Sequence, residues 1–210
     1  MEEVTVIIPT RNRYHRLHKC LESLRGQTYE NVKVMVICDQ DLDTYNKLML
    51  NGFDGTLILT DVNVEWVAGI RLGVEKASSE FIFYAADDVR FDSRCIEFCM
   101  KCFLANFTDG IGLIKTEDYL NPRVATHGLT TKKTIRKYDG FSRDYVHFYA
   151  DTELTTRTIR DNKFIFCKEA ICEHIHWLNK KVPKDKSYEI VERFLDDDRR
   201  NYLRRNGAKY

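Results

Sequence analysis

Residues 80–91 read EFIFYAADDVRF, and this stretch decides the fold. An unbroken apolar run over 81–86 stops at two adjacent carboxylates, Asp87 and Asp88. Strands of a parallel sheet are buried on both faces, so they read as continuous apolar runs rather than alternating ones. In open α/β sheets, ligands bind beyond the carboxyl ends of such strands. A strand ending in Asp-Asp therefore sets negative charge where a ligand sits. Adjacent carboxylates repel unless they diverge or a cation lies between them. A hard divalent cation shared with a substrate diphosphate would relieve that repulsion. The plainer alternative is a turn whose side chains cap the next helix.

The flanking chain repeats the pattern. Residues 4–8, 32–38 and 56–60 are apolar and predict strands, ending at Pro9 and Thr10, at Asp39 and at Asp61. After the first, Leu17, Cys20, Leu21 and Leu24 recur at helical spacing. The turn between them supplies Thr10, Arg11 and Arg13, with Asn12 a candidate N-cap. Such a turn suits an anion, because helix N–H groups point the same way. Val67, Ile70 and Val74 mark a helix over 67–77, and another covers 95–107. The order β-α-β-(α)-β-α-β-α predicts a mainly parallel sheet between helices. The strand ends fall on one edge, so a polar cleft lined by Asp39, Asp61, Asp87, Asp88 and Arg11 is expected. Asp39 would accept hydrogen bonds from a ribose or base there, or cap a turn.

The second half is less regular. Residues 111–116 predict a strand, and 117–145 predict loops and a short hairpin over the cleft. A helix is expected over 148–160 with Asp151 as N-cap, then strands over 164–166 and 170–175. In the last, Cys172, His174 and His176 share a face that could ligate a metal. A zinc site using Cys167 as well is one alternative. Cys95, Cys99 and Cys102 read as core on one helix face. Residues 186–205 predict one long amphipathic helix, with DDDRRNYLRR (196–205) as its solvated face.

Composition narrows the class. At 210 residues, 43% hydrophobic and 31% charged, the chain reads as one soluble domain. A net charge of +1 gives no global pull towards nucleic acid or anionic membrane. No apolar run approaches the ~20 residues that span a bilayer. The acidic start runs straight into a strand, so no signal peptide is expected. Seven scattered cysteines suit reduced thiols in a cytoplasm, the host's if the source is viral.

Four segments, in order, carry a resemblance: VTVIIPTRNRYHRLHKCLESLRGQTYENVKVMVICD (4–39), VAGIRLGVEKASSEFIFYAADDV (67–89), ADTELTTR (150–157) and EAICEHIHW (169–177). Together they resemble the family 2 glycosyltransferases. The resemblance implies an α/β GT-A (Rossmann-like) fold, a mainly parallel central sheet flanked by helices with a C-terminal amphipathic helix. It divides the single domain into a nucleotide-binding half (1–116), an acceptor and catalytic half (117–180) and a helical extension (181–210). It implies that Pro9, Thr10, Arg11 and Arg13 border the nucleotide, that Asp39 contacts it, and that Asp61 lies beside its pocket. Asp87 and Asp88 would hold the diphosphate through manganese or magnesium, with His174 or His176 as a further ligand. Asp151 would be the general base, with Glu153 the alternative, and Arg71 would reach the diphosphate. The chain departs from the family pattern at Ala85, Ala150 and Ile70-Arg71, where Asp, Glu and Arg-Asn are usual.

The implied activity is inverting, metal-dependent transfer from a nucleotide diphosphate donor, a UDP-sugar first, to an acceptor hydroxyl. Compact members resemble enzymes of bacteria and their phages, so a glycan, a small glycoside or a modified DNA base are the acceptors considered. The basic stretches 132–137 and 199–205 are candidate contacts for an anionic acceptor. The alternatives are a phage DNA-base glycosyltransferase and an inactive nucleotide-sugar-binding module, to which Ala85 and Ala150 would point. A sugar-nucleotide-forming enzyme would need a glycine-rich turn after the first strand, and PTRNR has none.

Overall fold

In the computed structural model, which describes residues 1–184 and 186–207, β1 (Val4–Thr10) is buried along its whole length. It is central because β2 (Val32–Cys38) and β4 (Phe81–Tyr84) pair with it on either side, both parallel. The helices α1 (Tyr14–Arg25), α2 (Leu42–Leu50) and α3 (Glu65–Lys76) supply the crossovers, with β3 (Thr56–Leu59) outside β2. The chain then runs through β5 (Val89–Phe91), α4 (Cys95–Asn106), β6 (Leu113–Glu117), β7 (Gly128–Thr131), α5 (Lys132–Tyr138), α6 (Ala150–Arg160) and β8 (Phe164–His174). A 3-10 turn (Trp177–Asn179), α7 (Lys186–Glu192) and α8 (Leu195–Arg205) close it. The sheet has eight strands in the order β3-β2-β1-β4-β7-β6-β8-β5. Its first four are parallel, as the alternation predicts; β7 then joins β4 and β6 antiparallel.

Apolar side chains cover both faces. Val6, Ile8, Phe81 and Phe83 pack with Leu17 of α1 and Phe103 of α4. Ile7, Ile82 and Tyr84 pack with Val67 of α3, Ile135 of α5 and Leu154 of α6. Burial at ~25 cal/mol per Å2 of apolar surface makes this two-sided packing the main driving force. Cys95 and Cys99 are buried in the first layer beside Cys172, and Cys102 packs against it. No helix among the described residues is long and apolar enough to cross a membrane.

Four expectations are corrected. Residues 164–175 do not hold two strands: β8 is one eleven-residue strand, parallel to β6 with an irregularity at Thr116/Glu117, then antiparallel to β5. The predicted C-terminal helix is two helices, because the chain turns at residues 193–194. The stretch 117–145 is more than loops and a hairpin: residues 118–127 are irregular and reach the cleft, but β7 pairs inside the sheet with β4 as well as β6, and α5 follows directly. The face 196–205 is not wholly solvated, since Asp198 is fully buried.

Gly128 shows how tightly β7 is seated. A Cβ there would collide with the Ile114 carbonyl oxygen, a backbone atom with no room to yield. Gly128→Ala is expected to cost about 1–3 kcal/mol, as overpacking does, read as a lower urea midpoint at unchanged slope.

Candidate active site

Strand order reverses between β1 and β4, since one connection leads to β2 and the other arrives from β3. A crevice opens at that point beyond the strand ends. Here it is a cleft of about 1250 Å3. Asp87 and Asp88 stand in its floor, both buried. The turn after β1 reaches over them. Thr10 Oγ1 donates to Asp87 Oδ2 at 2.7 Å, and Arg13 spans the pair, Nη1 lying 3.2 Å from Asp87 Oδ1 and Nη2 bonding Asp88 Oδ2.

His174 arrives by strand register. β5 begins directly after Asp88, and Val89 pairs with His174 across the β5–β8 ladder. His174 Nε2 thus lies 3.1 Å from Asp88 Oδ1. Tyr188 of α7 completes the shell, its hydroxyl donating to Asp88 Oδ2 at 2.8 Å while Arg16 donates to Tyr188. Nothing in the sequence marked Tyr188 or Arg16 beyond an amphipathic pattern.

The two carboxylates titrate in opposite directions. Burial raises Asp87 to about 6, with repulsion from Asp88 adding to it against the pull of Arg13. Burial also acts on Asp88, but the His174 hydrogen bond, Arg13 and Tyr188 outweigh it and hold that carboxyl well below its usual range.

Asp151 lines another wall of the cleft. It is not the N-cap of α6; that position is Tyr149, in a left-handed conformation at φ 64°. Asp151 sits in the first turn, and its Oδ1 accepts from Thr152 N at 2.7 Å. Burial raises its pKa to about 6. Asn12 does not cap α1 either; Arg13 holds that position, and Asn12 N donates to Asp41 Oδ2 at 2.6 Å. Asp39 lines the cleft, but three donors already occupy it: Thr60 Oγ1 at 3.0 Å, Val64 N at 2.8 Å and Glu65 N at 2.9 Å. Pro9, Thr10, Arg11 and Arg13 line the cleft.

Other candidates lie elsewhere. Asp61 is exposed and outside the cleft lining. Arg71 also lies off it, near Arg143, which lowers its pKa after the larger effect of burial. Glu153 is buried away from the cleft, paired with Arg157 at 2.8 Å and Arg205 at 2.9 Å. His176 lines the cleft, but its Nδ1 accepts from Leu178 N at 3.2 Å and caps the 3-10 turn. Lys132 bonds the Ala77 carbonyl, and Arg205 pairs with Asp139, Asp144 and Glu153, so these basic residues face neighbouring elements rather than the cleft. Cys172 is sealed in the apolar core beside Cys95, which removes it from a zinc set with His174.

The donor chemistry fits a divalent cation. Asp88 oxygen and His174 nitrogen abut, and the Arg13 guanidinium stands where positive charge is needed. Carboxylate oxygen suits magnesium and manganese, and imidazole suits later first-row ions such as zinc, iron and nickel. Among the described residues, no three His, Cys, Asp or Glu side chains are already disposed as a ligand set. Asp87 is turned to Thr10 and Arg13 instead.

The architecture, an eight-stranded sheet flanked by helices with carboxylates at the switch point, is that of the GT-A glycosyltransferases. The chain belongs to glycosyl transferase family 2, whose model matches residues 5–175. It is 25% identical over 205 residues to the GalNAc(5)-diNAcBac-PP-undecaprenol beta-1,3-glucosyltransferase of Campylobacter jejuni, covering 92% of this chain and 64% of that protein. It is also 24% identical over 103 residues, 48% of this chain and 15% of the other, to the glycosyltransferase GlyA of Streptococcus pneumoniae. Among solved structures, the mannosyltransferase PcManGT of Pyrobaculum calidifontis, in complex with GDP-Man and Mn2+, superposes with a TM-score of 0.71. That match has 17% identity and covers 97% of this chain and 64% of that one. TarS 1-349 of S. aureus in complex with UDP gives 0.63 at 12% identity, over 81% of this chain and 59% of the other. At these identities the structures are similar in fold. The chain spans just under two thirds of the first relative's length.

Proposed function

We propose that the protein moves a sugar from a nucleotide diphosphate donor, a UDP-sugar first, to an acceptor hydroxyl with inversion. The observation that carries this reading is the pairing across one cleft of the buried Asp87, Asp88 and His174 group with the Asp151 carboxyl. Asp88 and His174 are the residues that would hold a manganese or magnesium ion, with Asp87 joining once Arg13 releases it. Such an ion, when bound, neutralises charge developing on the departing diphosphate as a Lewis acid. Arg13, and Arg11 at the cleft edge, bring fixed positive charge to the same diphosphate.

Asp151 takes the proton of the acceptor hydroxyl as that oxygen bonds to the anomeric carbon. The bond from that carbon to the diphosphate oxygen breaks on the opposite face, which inverts the centre. A base with a pKa near working pH is best placed for this. The C. jejuni relative is named for a lipid-linked oligosaccharide acceptor. A glycan acceptor therefore has more support than a DNA base, since the basic stretches proposed to meet nucleic acid face away from the cleft.

The test is release of nucleotide diphosphate from a panel of nucleotide sugars, with and without manganese. One donor is expected to be hydrolysed slowly in a metal-dependent way. Binding of no donor would sink the reading, and binding without release would favour the inactive module. Asp88→Asn is expected to slow release about 10²–10³-fold, the usual loss when one preorganised charge contact is removed. The pH profile carries a second expectation. Asp151 loses its proton near 6 rather than near 3.8, so kcat at saturating donor should fall as pH drops through 6 and level off above. A flat profile from pH 5 to 8 would contradict that role.

A further inference from the structure

His127, on the segment entering β7, is 1% exposed, lines the cleft and was not singled out by sequence. Its Nδ1 accepts the Ala86 N–H at 3.4 Å, one residue before the two aspartates. An imidazolium carries protons on both nitrogens and cannot accept there, so this ring is neutral with its proton on Nε2. That Nε2–H is buried and, among the described residues, has no hydrogen-bond partner. A buried donor left unpaired is destabilising, and such groups in native structures call for a physical reason.

Its surroundings identify the missing partner. On one side the ring packs edge-on against His174, with centroids 4.6 Å apart, and His174 bonds Asp88. On the other side, the adjoining backbone is tied to the base-bearing helix. Ala125 N donates to Thr155 Oγ1 at 3.0 Å, and Thr155 Oγ1 donates to Asp151 O at 2.7 Å. His127 therefore packs against the side chain that bonds Asp88, on a segment whose backbone is anchored to the helix that carries Asp151. During transfer the sugar must lie between the diphosphate assigned to Asp88 and the acceptor oxygen assigned to Asp151, the two elements that this segment contacts. We propose that His127 is a donor-selecting residue whose Nε2–H donates to a hydroxyl oxygen of the transferred sugar. This rests on the glycosyltransferase reading above.

Two substitutions separate the ring's two nitrogens. His127→Asn keeps an acceptor for the Ala86 N–H but loses the outer donor. His127→Gln carries an amide N–H out to the Nε2 position. The probes are UDP-glucose, UDP-N-acetylglucosamine and GDP-mannose, with UDP and GDP as sugar-free controls, all with manganese. Relative to wild type, His127→Asn is expected to weaken the best-binding nucleotide sugar about tenfold, one hydrogen bond's worth. Its affinity for the matching nucleotide diphosphate should stay within twofold, and His127→Gln should recover part of the loss.

Equal weakening of sugar and sugar-free ligands would overturn the proposal, because it would assign His127 to the phosphates or to loop structure alone. So would unchanged sugar binding, with the glycosyltransferase reading intact. Failure of wild type to bind any nucleotide sugar would remove both readings together. Should His127→Asn not fold, nitrogen-15 spectra of histidine-labelled wild type decide the matter. The expected signature is an Nε2–H that shifts on adding the nucleotide sugar but not the nucleotide diphosphate; an Nδ1–H form, or no sugar-specific shift, would overturn the proposal.

Discussion

Asp151→Asn is expected to lower kcat by about 10²–10⁴-fold, the range for losing a positioned general base, while nucleotide affinity stays within a few-fold. The physical ground is the group's setting. Asp151 lines the cleft, among the described residues its Oδ1 is bonded only within its own helix turn, and burial raises its pKa to about 6. Asparagine keeps the shape and the local hydrogen bond but cannot take a proton. The acid limb of the pH profile should weaken with the rate, leaving what Asp87 contributes near the same pH. Glu153→Gln is the discriminating partner. Glu153 is held by Arg157 and Arg205 away from the cleft, so its loss should reduce stability and leave kcat within a few-fold. If Glu153→Gln abolished turnover and Asp151→Asn did not, the assignment of the base would be wrong.

Asp198→Ala is expected to cost about 3 kcal/mol, since it removes the buried acceptor of three part-buried N–H donors, at about 1 kcal/mol each. Asp198 Oδ1 accepts from Val146 N at 3.0 Å, and its Oδ2 accepts from His147 N at 2.9 Å and Phe148 N at 2.8 Å. This one carboxylate organises the turn that leads through left-handed Tyr149 into the helix of Asp151. At the other end of α8, Arg205 pairs with Glu153, Asp144 and Asp139. For a domain of this size, 3 kcal/mol corresponds to a drop in Tm of roughly 6–12 °C. Activity should fall as well, because the turn that holds Asp151 in the cleft is no longer fixed. A change of under 2 °C would show that the turn does not depend on Asp198.

The departures from the family pattern have a local consequence. Ala85 is fully buried in the core, and Ala150 is buried at the start of α6. A carboxylate at either position would bury a further charge, which is costly unless it is paired. The site therefore concentrates its acids at Asp87 and Asp88, balanced by Arg13, and at a single Asp151.

Much of this was legible from residue order alone. The runs at 4–8, 32–38 and 81–86 are largely apolar, broken only by Thr5 and Lys33, because both sheet faces are covered, so strand identity and parallel order followed from the pattern. The Asp-Asp ending marked the site for the same reason: charge at the end of a buried strand must lie at its edge. Three things were decided only in the tertiary structure. β5 is three residues long, too short to carry a period, yet its pairing with β8 is what brings His174 to Asp88 rather than leaving it on a generic strand face. Asp198 and Arg205 belong to a run of alternating charges, and periodicity does not say which charge is buried. Glu153 and Asp151 are two residues apart on one helix and so about 200° apart around it. Which of them faces the cleft depends on how that helix is rotated on the sheet. That rotation is set by Leu154 packing inward and by the ion pairs that Glu153 makes with Arg157 and Arg205.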